Sequence, residues 1–465
     1  MITSTTVRMG DFAVAQEGSP GSNINEDHFG MNKKFLLIGV IYLISLLSFL
    51  AGMYVIMARA WPYEHVMSVR SFLIGGAEEQ KSVTEKIVND LGLKPNRLIK
   101  TYQISDMPRE GYRSIDIPKA DPRRASALIY TSDRLEPGLR LLWGALDTRE
   151  AMHGAILVDS GGTIVHQWAM VEESSPDSER QEWNKHLHGL EVLGDGSVIY
   201  SFDGGNGLYR INACGELLWK IEGNFHHSIS RDESGSVWTW RDHEILKVGI
   251  ENGEVLRKIN FGDLDRANLD LDLFKIRQKD GADASTWSHD PHHPNDVEPL
   301  LPADATAYPQ FNVGDLLISF RSLNLVFVID PMTLRVKWWR IGQWRRQHDP
   351  DWYRDGKLYV YDNNMHRGES HITQIDPLTM VARRVIRGKE FDFYSSHMGK
   401  FDINPAGGFL VASSQQGRAF EVSKAGEMTF DFINRYNNSG EVLLVAGAEF
   451  LAEDFFIEGV LSECD

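Results

Sequence analysis

The sequence predicts an all-β fold, a six-bladed β-propeller behind a single N-terminal transmembrane helix, and three observations carry that expectation. A turn followed by a short strand, usually glycine-led and ending in an aromatic, recurs six times; a glycine-led hairpin precedes most copies; and one uncharged run is long enough to span a bilayer.

The first repeat is Gly162–Trp168, Gly215–Trp219, Gly253–Leu256, Leu334–Trp338, Met380–Val385 and Gly426–Phe430. The copies stand about 40 to 50 residues apart, with one interval doubled, which is the spacing of propeller blades. The second unit is Asp195-Gly196, Ser234-Gly235, Gly314-Asp315, Asp355-Gly356 and Gly407-Gly408, each followed by an apolar strand. Glycine-containing turns between alternating strands read as hairpins, and the two units together make a four-stranded blade. The doubled interval holds an insertion at 263–290 with helical patterning over Leu269–Arg277.

Between Phe35 and Ala58 no residue is charged, and about 20 apolar residues suffice to cross hydrocarbon as a helix. Lys33 and Lys34 precede the run and Arg59 follows it, a mild preference for a cytoplasmic N-terminus. A cleaved signal peptide, with Ala58-Arg59-Ala60 at the cleavage site, is the rival reading; apolar regions of such peptides are shorter, about 7–15 residues. The expected organisation is a disordered tail over 1–32, a transmembrane helix over 33–59, a neck over 60–133 with a helix near Glu78–Gly92, and the propeller over 134–465.

Composition narrows the partners. With 48 basic against 65 acidic residues and a net charge of -17, the chain lacks the basic face that displaces counterions from phosphates, so nucleic acid is excluded as the default partner. Cys214 and Cys464 are the only cysteines, which rules out a disulfide framework and any Cys-based zinc motif. One bridge between them, formed if the C-terminal segment closes onto an early blade, and two free thiols are both compatible with the sequence. No Gly-x-x-x-x-Gly-Lys-Ser/Thr loop occurs, so a phosphate-cradling nucleotide site of the P-loop kind is unsupported.

Histidines mark the candidate site. His188, His227 and His348 stand eight residues before Gly196, Gly235 and Gly356, and His293 precedes the Gly314 hairpin once the insertion near Pro302–Pro309 is allowed for. Equivalent positions on four blades predict imidazoles converging on the mouth of the central channel. His153 has the same offset before Gly161 in what reads as an outer hairpin, so offset alone is weak. Asn295, Arg321, Arg345, Arg346 and Gln347 lie close by in sequence and add polar groups suited to an anion. A metal site is the competitor, although an arginine beside a dication is unfavourable and open hydrolytic sites more often include a carboxylate; no metal or cofactor is expected.

At these residues the chain resembles the bacterial arylsulfotransferases, PAPS-independent enzymes built on a six-bladed propeller. The matching stretches are His226–Ile229, His293–Val297, Gly314–Arg321, Gln347–Pro350 and Val360–Asn364, with Gly417–Val422 pointing to a membrane-anchored subgroup. The resemblance implies that His348 accepts the sulfuryl group as a covalent sulfohistidine, with His227, His293, Arg321 and Asn295 in the catalytic group. His188, His226, Arg345, Arg346, Gln347, Asn363 and Arg418 are expected to line the substrate site. The implied substrates are an aryl sulfate donor and a phenolic or other hydroxyl acceptor, with the propeller in the periplasm on an inner-membrane anchor; self-association is left open. Two departures are visible: a short-range disulfide of soluble members cannot form, and Ser228 stands where an Asp is expected after His-His. The alternatives are a non-catalytic envelope propeller that binds an anion in its channel and a His-ligated metal hydrolase.

Overall fold

In the computed structural model, residues 27–58, 99–101, 110–118, 124–148, 152–172, 185–274, 292–438, 440–462 and 464 are described. Two compact units divide at Lys94. In the first, helix α1 runs Asp27–Ala58; it begins inside the stretch expected to be a disordered tail. Its described side chains, at 36–51 and 54, are all exposed. Among the described residues, no helix is long and apolar enough to cross a membrane. The neck helix expected near Glu78–Gly92 lies outside the described residues.

Among the described residues the second unit holds the propeller, six sheets of four or more antiparallel strands, and a two-stranded sheet of Ile99–Thr101 with Glu441–Leu443. Blade one runs from Val445–Leu451 innermost through Leu139–Gly144 and His153–Val158 to Ile164–Met170. Blades two to five begin with His186–Val192, Phe225–Arg231, Pro294–Pro299 and His348–Asp351, and blade six with Phe401–Ile403. All six copies of the first sequence repeat form the fourth strand of a blade, and the five glycine-led hairpins enter the second strand. The turn glycines are the reason: Gly162, Gly196, Gly215, Gly235, Gly253, Gly356 and Gly426 have φ between +71° and +84°, where a Cβ is strained.

Blade six is wider than expected. Ala127–Thr131 pairs with Met428–Ile433, and Arg113–Ile115 pairs outside it, so the sheet begins within the segment read as a neck. In the insertion the helix, α2, lies earlier than the patterning suggested, at Phe261–Ala267. Asn260 caps it by accepting the Gly262 N–H, and Leu264, Leu273 and Phe274 are buried against Trp240, Phe320 and Phe327. Residues 275–291 lie outside the description.

Between consecutive blades the facing side chains form separate apolar cores. Trp143 and Trp168 meet Tyr200 and Phe202 between blades one and two, and Phe430 and Phe432 meet Leu142 and Ile156 between blades six and one. The strands are therefore buried on both faces, which accounts for apolar runs such as Leu325–Ile329.

The ring closes through the C-terminal part of the chain: Val445–Leu451 is innermost in a blade whose other strands come from residues 139–170. Beyond it the Ile457 N–H donates to the Gly194 carbonyl, and Cys464 is disulfide-bonded to Cys214, 250 residues away. Crosslinking so long a loop removes unfolded-state entropy worth about 5 kcal/mol in the chain-entropy limit.

Candidate active site

The histidines sit at the starts of the innermost strands, and local irregularities in those strands aim them. An antiparallel bulge adds one residue, bends the strand and redirects a side chain. Register shifts of this kind occur in the innermost strands of five blades, around His188, His227-Ser228, Asn295, Asp349 and Ala446. His227, His293 and Asp349 also have positive φ, 61°, 51° and 48°, conformations that persist in non-glycine residues only when the surroundings hold them. Blade two approaches blade three closely because residue 189 is glycine: a Cβ there would strike the His227 carbonyl.

The result is a cluster. The His227 ring lies 4.5 Å from His188, 5.1 Å from His293 and 6.3 Å from His348, centroid to centroid. His188 is 4% exposed, His227 6% and His348 4%. His153 stands on the third strand of blade one, packed edge-on against Phe202, away from the innermost strands.

Hydrogen bonds set the tautomers. His348 Nδ1 is 2.7 Å from Asn363 Oδ1, while the Asn363 amide nitrogen donates to the Ser395 and Met398 carbonyls at 2.9 and 2.6 Å. With its NH₂ committed to carbonyls, Asn363 can only accept from His348, so Nδ1 carries the proton and Nε2 bears the lone pair. His226 Nε2 faces the Asp242 carbonyl at 2.8 Å and His226 Nδ1 faces His227 Nδ1 at 2.7 Å. In the neutral pair that order makes His226 Nδ1 the acceptor and His227 Nδ1 the donor.

Burial is the main cause that pushes His348 well below the ordinary histidine range; the Arg321 guanidinium adds to it, and the Asn363 hydrogen bond opposes it. His227 is pushed well below by burial and by the neighbouring imidazoles, and burial lowers His188 to about 3. Arg321, which follows the second strand of blade four, is the cation whose charge acts on His348. Arg345 is exposed, and Arg346 donates to Ser322 Oγ at 2.9 Å.

The remaining expected residues divide into supports and outliers. Asn295 Nδ2 donates to the Gln347 carbonyl at 2.8 Å, bracing the backbone just before His348. Gln347 is fully buried, its amide donating to Ser319 Oγ and the Phe320 and Leu325 carbonyls, so it locks blade five to blade four and does not face a substrate. Arg418 is not at the channel: on the third strand of blade six it is buried, paired with Asp431 through two bonds of 2.7 Å. Asn363, expected near substrate, holds His348 instead. Ser228, the departure from the family pattern, accepts the Val297 N–H at 2.9 Å and ties blade three to blade four.

Past the histidines the channel changes character. A cavity of about 340 Å³ is lined by Glu191, Asp296, Glu298, Asp349, Asp351, Asp402 and Glu449, with Lys400 and Arg231. Burial raises Glu191 to about 7 and Asp296 to about 8. Burial would lower Lys400, but Asp349, Asp296 and Asp351 around it hold it well above the usual range. Lys400 pairs with Asp349, whose other oxygen accepts the Phe401 N–H at 2.8 Å, fastening blade five to blade six beside His348. Nothing in the local sequence of Lys400 marks it, since its partners come from other blades.

The arrangement offers one neutral imidazole with a free-pointing Nε2, further imidazoles within ring contact and an adjacent guanidinium, a set suited to nucleophilic transfer of an anionic group. Among solved structures the chain is similar to a protein of unknown function from Bacteroides caccae, 14% identical, covering 68% of this chain and 100% of that one with a TM-score of 0.47. It is also similar to virginiamycin B lyase from Staphylococcus aureus, 11% identical, covering 69% and 88% with a TM-score of 0.38. Comparison with curated proteins finds no match. Residues 189–435, more than half of the chain and the span that carries His227, His293, Arg321 and His348, match the family described as Arylsulfotransferase (ASST). The chain belongs to the arylsulfotransferase family.

Proposed function

We propose that the protein moves a sulfuryl group from an aryl sulfate ester to a phenol or another hydroxyl through a covalent intermediate on His348. The observation that carries this reading is the His348–Asn363 hydrogen bond, because it leaves Nε2 unprotonated on a ring 6.3 Å from that of His227 and under the charge of Arg321.

In the first half-reaction Nε2 attacks sulfur, the N–S bond forms and the ester S–O bond breaks, and the phenolate departs with the bonding pair. The leaving oxygen has a parent pKa of about 10 and is best protonated as it leaves. His227 is poorly suited, since it is held neutral and its one proton points to His226; His293, half-buried with its ring 5.1 Å from that of His227, is assigned the role. In the second half-reaction the acceptor hydroxyl gives its proton to His293 and its oxygen attacks sulfur, which frees His348. Sulfuryl transfer, like phosphoryl transfer, has a loose transition state with charge spread over the equatorial oxygens. Arg321 neutralises that charge, and Asn295 and Asn363 hold the backbone and ring of the nucleophile in line.

The test is acceptor-dependent release of phenolate from a chromogenic aryl sulfate, measured across pH. Because the acidic form of His348 is disfavoured by burial and by Arg321, the neutral nucleophile persists as the pH falls through about 6.5, the ordinary histidine value. The acid limb of kcat/KM is therefore expected well below that pH. A limb centred near 6.5, or no release at any pH, contradicts the reading.

The uncharged run Phe35–Ala58 supports a further part of the proposal, a single-pass anchor in a bacterial inner membrane with the propeller in the periplasm. The full chain is then expected in the membrane fraction and to resist an alkaline carbonate wash; full recovery in the soluble fraction overturns the anchor.

A further inference from the structure

Blade two carries a second group of potential ligands at the rim of the histidine cluster. His186 and Asp203 are direct cross-strand partners, with His186 Nε2 and Asp203 Oδ2 3.5 Å apart. His188 is the extra residue of the bulge between Leu187 and Gly189, and its ring lies 5.6 Å from that of His186. One ring nitrogen from each histidine and one Asp203 oxygen all lie within 4.8 Å of one another.

An ion pair between His186 and Asp203 accounts for two of these residues and leaves the third unexplained. His188 is 4% exposed, and its Nδ1 is buried without a hydrogen-bond partner. A buried nitrogen with nothing to bond is costly, and it is the expected state of a ligand atom waiting for its ion.

We propose that His186, His188 and Asp203 bind one divalent first-row transition-metal ion of the zinc class. Two imidazoles and one carboxylate make the donor set of an open site, with a fourth position left for water or a substrate oxygen. Ligand atoms about 2.1 Å from a tetrahedral zinc stand about 3.4 Å apart. His186 and Asp203 already meet that spacing at 3.5 Å, and the His188 nitrogen lies within 4.8 Å of both. The set itself contains no arginine: Arg321 stands on blade four, and the three ligands stand on blade two. The His188 and His227 rings are 4.5 Å apart, so the ion adds positive charge at the edge of the anion pocket. The inference departs from the sequence expectation of no metal, and it does not rest on the sulfohistidine reaction.

The experiment uses the full chain, stripped with chelator, dialysed and titrated with Co²⁺, whose visible absorption reports bound ligands, followed by displacement with Zn²⁺ and elemental analysis. One Co²⁺ per chain with micromolar or tighter affinity is expected, weakened at least tenfold by Asp203→Asn and abolished by His188→Ala. Matching thermal midpoints of the metal-free variants and metal-free wild type show that the fold is kept; if His188→Ala does not fold, Asp203→Asn decides. Absence of saturable binding, or one equivalent bound with undiminished affinity by Asp203→Asn, overturns the proposal. Failure to turn over aryl sulfates would sink the transfer reading and leave the metal result standing.

Discussion

Replacing His348 by alanine is expected to lower acceptor-dependent phenolate release by about 10³- to 10⁴-fold, because it removes the proposed nucleophile. What remains is positioning and charge neutralisation by Arg321 and the other imidazoles, which assist direct transfer without supplying a nucleophile. The pre-steady-state burst of phenolate should vanish with the steady-state rate, and mass analysis of wild-type protein quenched during donor turnover should find one acid-labile sulfuryl group per chain on the peptide that contains His348. The substitution also leaves Asn363 Oδ1 without its partner, a cost of about 1–3 kcal/mol, so the thermal midpoint must be followed alongside. Wild-type activity in the folded variant would rule His348 out.

Asn363→Ala is expected to lower the same rate by about 10²-fold while the fold and the substrate KM hold. The oxygen of Asn363 keeps the His348 proton on Nδ1; without it both tautomers are populated and the ring is free to turn. A wrong tautomer is severe in other nucleophile–histidine systems, about 10⁴-fold in the trypsin aspartate-to-asparagine case. The effect here is set lower because alanine leaves both tautomers accessible, whereas the asparagine substitution imposes the wrong one. Asn363→Asp separates this positioning role from a structural one. A carboxylate still accepts from Nδ1, but its charge favours the imidazolium and moves the acid limb of kcat/KM upward. Equal losses in both variants with unshifted pH profiles would show that Asn363 matters only for packing, through its bonds to Ser395 and Met398.

The repeats were legible because blade turns leave a chemical signature: φ near +75° selects glycine, and strands buried on both faces select unbroken apolar runs. The histidine offset was legible for the same reason, since it counts from those glycines. What the offset could not convey is aim. His188, His227 and His348 point together because their strands bulge, and a bulge is a property of two strands paired in space. Sequence neighbours can face different ways: Arg345 and Arg346 lie beside Gln347 and His348 in the chain, yet Arg345 is exposed and the guanidinium that acts on His348 comes from Arg321 on another blade. Arg418 sits in a matching motif and serves a buried ion pair with Asp431. Lys400, His186 and Asp203 went unnoticed because each acquires meaning only from partners on other strands or blades.

The strand Val445–Leu451, which completes blade one from the far end of the chain, has a temporal consequence. During translation the segments holding His188, His227, His293 and His348 all leave the ribosome before the strand that brings blades six and one together. Individual blades can therefore take shape early, while a circular arrangement of their imidazoles has to wait for that late arrival. A nascent chain short of Val445 carries every reactive side chain discussed above and still lacks the enclosure that would make them act in concert.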